Sequence, residues 1–288
     1  QRFSARRRFR SVRDDAQLAP VSYWNYCMLK SVEDGARALL KDTAAVLSQF
    51  SEIEHLVIGG WCPAIRNKSN IQHPGTLDVD ILFRYSNRPG FLSDVIEKFI
   101  QSGFDPSAKH PFQLLKRQVV NSNTLIYNID LLHPRMLEDK DSVGLFVDHL
   151  ELDIPLNNAE RQLKKMCSVA LPNSEVLFQK NMYSIETVDG QSIPLVTFEG
   201  MFVTKMDSCQ KQKRERDSFD IYLAFVNDGV NSQSLNRLAS EDNRIRESLN
   251  AFKLHLKNKA DEFNKNVNHF CKDIEGSPAQ YVLTKLNG

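Results

Sequence analysis

Apolar residues recur along this chain at two periods, one helical and one extended. Ser31 followed three residues later by Asp34 has the spacing of a capping box. Leu39, Leu40, Val46, Leu47 and Phe50 then keep a helical spacing, which predicts a helix to about residue 50. His55-Leu56-Val57-Ile58 is a short apolar run that stops at Gly59-Gly60, so it reads as a strand leading into a short helix over 61–66. Residues 67–75, NKSNIQHPG, are turn formers and predict a loop. TLDVDILF, 76–83, alternates and predicts a strand, with Leu77, Val79 and Ile81 turned to the core. Pro89-Gly90 marks a turn, and 91–103 reads as a helix with a glycine stop. Strands follow over 113–120 and 125–132, joined by Asn121-Ser122-Asn123. Residues 136–180 show no clear period. A hairpin over 182–196 turns at Asp189-Gly190. Beyond Pro194 the period becomes helical over 198–209 and 216–226, with the basic stretch 211–216 between. Phe252, Leu256, Ala260, Phe263, Val267 and Phe270 share one face of a helix over 245–272. The pattern predicts an α+β protein: a small mixed β-sheet core flanked by helices over 23–197, then a C-terminal helical bundle over 198–288.

Composition adds little to that picture until the charges are placed. The 288 residues are 41% hydrophobic and 25% charged, ordinary for a globular protein that can bury a sizeable core. The net charge of +1 gives the whole molecule no strong pull toward nucleic acid or an anionic membrane. The first 13 residues nevertheless carry Arg2, Arg6, Arg7, Arg8, Arg10 and Arg13 and no acid. Residues 1–22 therefore read as a basic flexible arm, the alternative being the remnant of a transit peptide. Five scattered cysteines without a CxxC pair point to free thiols in a reducing compartment, hence the cytoplasm, and away from a disulfide frame. The seven histidines show no zinc-ligand spacing. No apolar run approaches the roughly 20 residues that span a bilayer.

The chemistry concentrates in four places. Asp78 and Asp80 lie two apart on a strand, so both carboxylates project from one face and repel each other. A divalent cation, magnesium or manganese, relieves that repulsion and uses both as oxygen ligands. The bland alternative is a solvated strand face. Asp130 stands alone between Ile129 and Leu131; if its strand pairs beside the first, it completes a three-carboxylate metal set able to hold two ions. Gly59-Gly60, one strand ahead of the acids, would let backbone approach a phosphate. Lys205 in MFVTKMDSC, with Arg216, Asp217 and Asp220, supplies charge for a triphosphate or else forms a surface salt-bridge network.

The ordered set carries a resemblance: strand–GG, then T-x-D-x-D-I, then I-D-L on a later strand, then I-P-L-V, F-V-T-K-M and R-D-x-x-D-I-Y-L. It resembles the nucleotidyltransferases of the polymerase-beta-like superfamily, and within them the AbiEii toxins of type IV toxin–antitoxin systems, over about residues 50–225. The resemblance implies a nucleotidyltransferase core of small mixed sheet and helices, followed by a helical bundle. It implies that Gly59, Gly60 and Thr76 line a nucleoside triphosphate and that Asp78, Asp80 and Asp130 bind magnesium. Asp130 would also align or deprotonate the acceptor hydroxyl. Lys205, Arg216, Asp217 and Asp220 would serve the nucleotide. Relatives often carry Gly-Ser where this chain has Gly59-Gly60, and an Arg where it has Pro74-Gly75; the spacer from Gly60 to Asp78 is long.

The function so implied is transfer of a nucleoside monophosphate from the triphosphate to an acceptor. The candidate acceptors are RNA, above all the 3′ end of a transfer RNA, a protein hydroxyl, and a small molecule. Phosphate contacts from the arginine arm and from Lys211, Lys213, Arg214 and Arg216 would suit the first. An antitoxin protein is the implied partner. Two rival classes remain. One is a phosphohydrolase with Asp78 as nucleophile, disfavoured because only Thr76-Leu77 precede the acids and Leu82 follows them. The other is a catalytically silent relative that binds a nucleotide or a partner. No GxxxxGK, GxSxG, HExxH or GxGxxG motif is present.

Overall fold

The computed structural model describes residues 31–84, 91–107, 109–135, 166–272 and 274–288. The arm at 1–22, the turn at Pro89-Gly90 and most of the unpatterned stretch after 136 lie outside these residues.

Ser31 and Asp34 form the capping box that starts α1, Val32–Leu47. β1, His55–Ile58, runs into α2, Trp61–Arg66. After the loop at 67–75 come β2, Asp78–Phe83, and α3, Phe91–Gln101. The two-residue β3, Asp105–Pro106, precedes the hairpin of β4, Gln113–Val120, and β5, Asn123–Pro134. Asn121 and Ser122, with φ of 47° and 64°, make its turn, the backbone that matches strand twist in a two-residue connection. β6, Val169–Leu171, and α4, Glu175–Gln179, lead to the hairpin of β7, Tyr183–Val188, and β8, Gln191–Val196. Asp189 and Gly190 turn it with positive φ, as the sequence predicts. Helices then take over: α5, Phe198–Lys205; α6, Glu215–Val226; α7, Ser232–Glu241; α8, Asn243–Asn258; α9, Ala260–Phe270; and α10, Pro278–Asn287.

The strands form one mixed sheet in the order β3-β4-β5-β2-β1-β8-β7, with β6 beside β5. β2 is antiparallel to β1 and parallel to β5, and β1 is parallel to β8. Both faces are covered, by separate cores. On one face Val57, Val79, Ile81, Ile129 and Leu131 pack under α1 and α3. On the other Leu56, Ile58 and Leu82 join Met201, Phe202 and Phe219 of the helices in a cluster that runs through α8 and α10. The architecture is therefore the expected mixed α+β, with a mixed sheet followed by a helical region. Among the described residues no helix is long and apolar enough to cross a membrane.

Four local expectations differ. Leu77 precedes the strand and is 52% exposed instead of core-facing. The helix over 198–209 stops at Lys205 and tightens into a 3-10 turn at Ser208–Gln210. The helix over 245–272 is two helices, broken where Lys259 leaves helical backbone at φ −130° and ψ 37°. Phe252, Leu256, Phe263 and Val267 still reach one core, because α9 packs against α6. Neither α7, with Leu235, Leu238 and Ala239 buried, nor α10, with Ala279, Val282, Leu283 and Leu286 buried, was expected from the sequence.

Candidate active site

Period 2 carries Asp78 and Asp80 onto the same face as Leu82. Leu82 is sealed beneath the helices, whereas the acids stand where that cover parts from the sheet. The parallel register pairs Asp80 with Asp130 and Asp78 with Asn128. Neighbouring strands lie about 4.8 Å apart, so Asp130 is next to the acidic pair, the pairing on which the three-carboxylate expectation depended. Together they line a cleft of about 540 Å³. Gly59, Gly60 and Thr76 line it from the sheet side, and Lys205, Arg216 and Asp217 from the helical side. Of the residues assigned to the metal and the nucleotide, only Asp220 does not line it, being fully buried behind the wall; of the basic stretch, Lys213 and Arg214 line it and Lys211 does not.

The glycines are there for close approach. Gly59 has φ of 72°, and a Cβ on it would collide with Asp80 Oδ2. A Cβ on Gly60 would strike Arg216 Nη2 and come within 2.8 Å of Thr76 Oγ1. The Arg216 guanidinium thus lies against bare backbone at the end of β1. Thr76 donates its hydroxyl to Asp78 Oδ1 at 2.7 Å, and Trp61 Nε1 donates to the Asp78 carbonyl at 2.8 Å. These bonds fix the entry to β2 from side chain and backbone.

Asp80 carries the site's electrostatic stress. Burial first, then the charges of Asp78 and Asp130, raise its pKa to about 8, against the pull of Lys205. Asp130 is also raised, chiefly by burial, although hydrogen bonds from Asn128 and Gln113 work the other way. Asn128 Nδ2 reaches Asp130 Oδ1 at 2.8 Å. A compact, all-oxygen set with more negative charge than its surroundings neutralise suits a hard divalent cation. As the side chains stand, however, no three histidine, cysteine, aspartate or glutamate groups among the described residues converge on one point. Thr76 holds one oxygen of Asp78 and Asn128 one oxygen of Asp130. Ligation would draw on the remaining oxygens, and on Asp80.

Lys205 sits in a buried network. Its Nζ donates to Asp217 Oδ1 at 2.8 Å and to Asp220 Oδ2 at 2.5 Å. Burial disfavours its charge, but the two carboxylates outweigh that and its pKa rises above the usual lysine range. Burial likewise disfavours ionised Asp220, and Lys205 with His73 and Arg216 outweighs it, holding the carboxyl below its usual range. Ser208 Oγ donates to Asp217 Oδ2 at 2.7 Å. The network is interior, not the surface alternative considered from sequence.

Sequence reasoning missed His73, Ser208 and Phe270. His73 was hidden among the turn formers of 67–75. Ser208 has no periodic signal, and Phe270, assigned to a helix face, also lines the cleft. The four described cysteines, Cys62, Cys167, Cys209 and Cys271, are free thiols. Burial pushes Cys62 and Cys209 far up, away from nucleophilic use.

No family model matches the sequence, and no curated protein does. Among solved structures, the chain is similar to an antigenic nucleotidyltransferase-like protein from Paracoccidioides brasiliensis, at 16% identity and a TM-score of 0.37. That match covers 77% of this chain and 94% of the other. A second is the antibiotic-resistance factor ANT(2'')-Ia, at 10% identity and a TM-score of 0.36, covering 79% of this chain and 97% of the other.

Proposed function

We propose that this chain is a metal-dependent nucleotidyltransferase that moves a nucleoside monophosphate from a nucleoside triphosphate to an acceptor hydroxyl. The observation that carries the reading is the register of two central parallel strands, which sets Asp130 beside Asp80. Asp78 and the Gly60–Arg216 corner share their cleft. Paired acids facing bare backbone and a guanidinium make a place where a polyphosphate and its cation fit together.

Asp78 and Asp80, with Asp130, would hold magnesium or manganese. When bound, the cation supplies charge neutralisation for the triphosphate and acidifies the acceptor hydroxyl. The chain's own residues do the rest. Gly59 and Gly60 let the phosphates approach the backbone, and Arg216 pairs with their charge. Asp130, whose carboxyl burial raises above its ordinary pKa, would take the acceptor hydroxyl's proton. The acceptor oxygen bonds to the α-phosphorus as the bond to pyrophosphate breaks. Lys205, committed to Asp217 and Asp220, acts by holding the cleft wall and by its charge rather than as a free hand on the phosphates.

We further propose an RNA acceptor, with the 3′ end of a transfer RNA first among them, an AbiEii-type toxin role with a protein antitoxin, and a cytoplasmic setting. The support is the ordered set of motifs together with Lys213 and Arg214 on the cleft rim. The division into a 23–197 transferase unit and a 198–288 helical unit belongs to the same proposal. A silent relative that only binds nucleotide or a partner is the second reading, since it would keep the cleft without needing all three acids. The test is incubation with each labelled triphosphate, magnesium or manganese, and total RNA. Label in RNA together with released pyrophosphate, both lost in Asp78→Ala, supports the reading. Full transfer by Asp78→Ala ends it, and label in protein moves the acceptor to a protein hydroxyl.

A further inference from the structure

The loop at 67–75 is strapped to α6 at both ends. At its start, the backbone N–H groups of Lys68 and Ser69 donate to Asn227 Oδ1 at 2.7 and 3.2 Å, and Asn227 Nδ2 donates to Asn67 Oδ1 at 2.9 Å. At its end, His73 is tucked in with 5% of its side chain exposed, stacked on Phe219 at 6.2 Å and 25°. Gly75 N–H donates to His73 Nδ1 at 3.1 Å, which makes Nδ1 the acceptor. Nε2 therefore carries the hydrogen and donates to Asp220 Oδ1 at 3.2 Å.

That bond is made to the same carboxylate oxygen that Arg216 faces. Arg216 Nε is 3.9 Å from Asp220 Oδ1, beyond hydrogen-bond distance, and is buried without a hydrogen-bond partner. Arg216 Nη2 stands 3.4 Å from His73 Nε2 and lies over Gly60 in the cleft. A guanidinium four residues before a carboxylate on a helix pairs with it readily. Here the imidazole edge occupies that carboxylate oxygen and holds the guanidinium at the cleft.

We propose that His73 is a positioning residue: by occupying Asp220 Oδ1 it keeps Arg216 from closing onto Asp220 and presents the guanidinium to a polyphosphate at Gly60. This rests on the reading of the cleft as a triphosphate site. Without the imidazole, Arg216 Nε bonds Asp220 and the anion-binding corner withdraws.

The experiment is a double-mutant cycle on the full chain, read as binding of magnesium tripolyphosphate by calorimetry. This probe has no base and needs no turnover. His73→Phe keeps the ring on Phe219 and removes both hydrogen bonds. It should weaken binding about tenfold, the scale of one charge-assisted hydrogen bond. Arg216→Ala should weaken it as much, and the double variant no further, because both lose the same contact. His73→Gln, which keeps a donor toward Asp220, should bind more tightly than His73→Phe. Asn227→Ala, at the far end of the strap, should lower Tm and leave affinity alone, which separates positioning from bracing. Additive losses in the cycle, or unchanged binding by a folded His73→Phe, overturn the inference and leave the transferase reading standing. No binding by the unsubstituted chain overturns both.

Discussion

Asp78, Asp80 and Asp130 are two positions apart or register partners, so no rearrangement of the backbone is needed to bring their carboxylates to one cleft. Alternation alone makes the first pair legible in the sequence. Asp130 depends on which strands pair, and nothing in its own segment says so. Asp78→Ala is expected to lower transfer by about 100-fold or more, the scale of losing a charge-stabilising group at a reacting phosphate. Its Tm should change little, since the substitution also removes a like charge. Asp80 gives the pH dependence. Its folded pKa of about 8 lies above that of the unfolded chain, so the native state binds the extra proton. Its contribution to stability is greatest below the ordinary carboxylate range and is lost as pH rises toward 8. In chelator, the Tm advantage of Asp80→Asn over the parent chain should therefore grow from pH 5 to pH 8 and then level. Cation affinity should rise over the same window, because ligation must displace that proton. A Tm difference flat across that range would contradict the buried, crowded carboxyl.

Between elements, the chemistry hangs on α5 and α6. The three-residue spacing of Asp217 and Asp220 is visible in the sequence, and so is Lys205, but the interior position of their ion pairs is not. It follows from Met201, Phe202 and Phe219 drawing both helices down onto Leu56 and Leu82. The lysine is sealed in with its partners, its side chain 12% exposed. Lys205→Met would strand two buried carboxylates and should cost about 3–5 kcal/mol in urea unfolding, far more than an exposed pair. A loss under about 1 kcal/mol would place the network at the surface. The predicted helix over 245–272 shows the opposite limit. Its apolar spacing continues through Lys259, so periodicity could not see the break; packing of α9 against α6 decides it. Helices α7 and α10 escaped although their buried residues keep helical spacing and Asn231 and Ser277 cap them with side-chain acceptors; each spans only ten residues.

Across the molecule, the sheet is sandwiched between two cores, and the cluster on the cleft side mixes strand residues with those of α5 to α10. Phe252 sits deep in it, 5.3 Å from Phe202 and 6.3 Å from Phe263 between ring centroids. Phe252→Ala should cost about 3–5 kcal/mol. With a shared core, sheet and helices should melt together. Trp61 fluorescence in a Trp24→Phe background and far-UV circular dichroism are expected to give one coincident transition. Separate midpoints would show that the helical region holds itself up. The overall α+β layering was legible because strand and helix periods alternate up to about Pro194 and helical periods alone follow; the shared core was not, because a period names a face and not its partner.

The order of strands has one more consequence. β2 and β5 lie inside the sheet, with β3 and β7 taking the margins. Fraying begins at margins, so the amides of Asp80 and Asp130 should be among the last to exchange with deuterium, at rates set by global opening. The crowded carboxylates cannot shed their repulsion by local breathing: once Asp80 loses its proton, the protein carries that tension until a counterion arrives or the whole fold is lost.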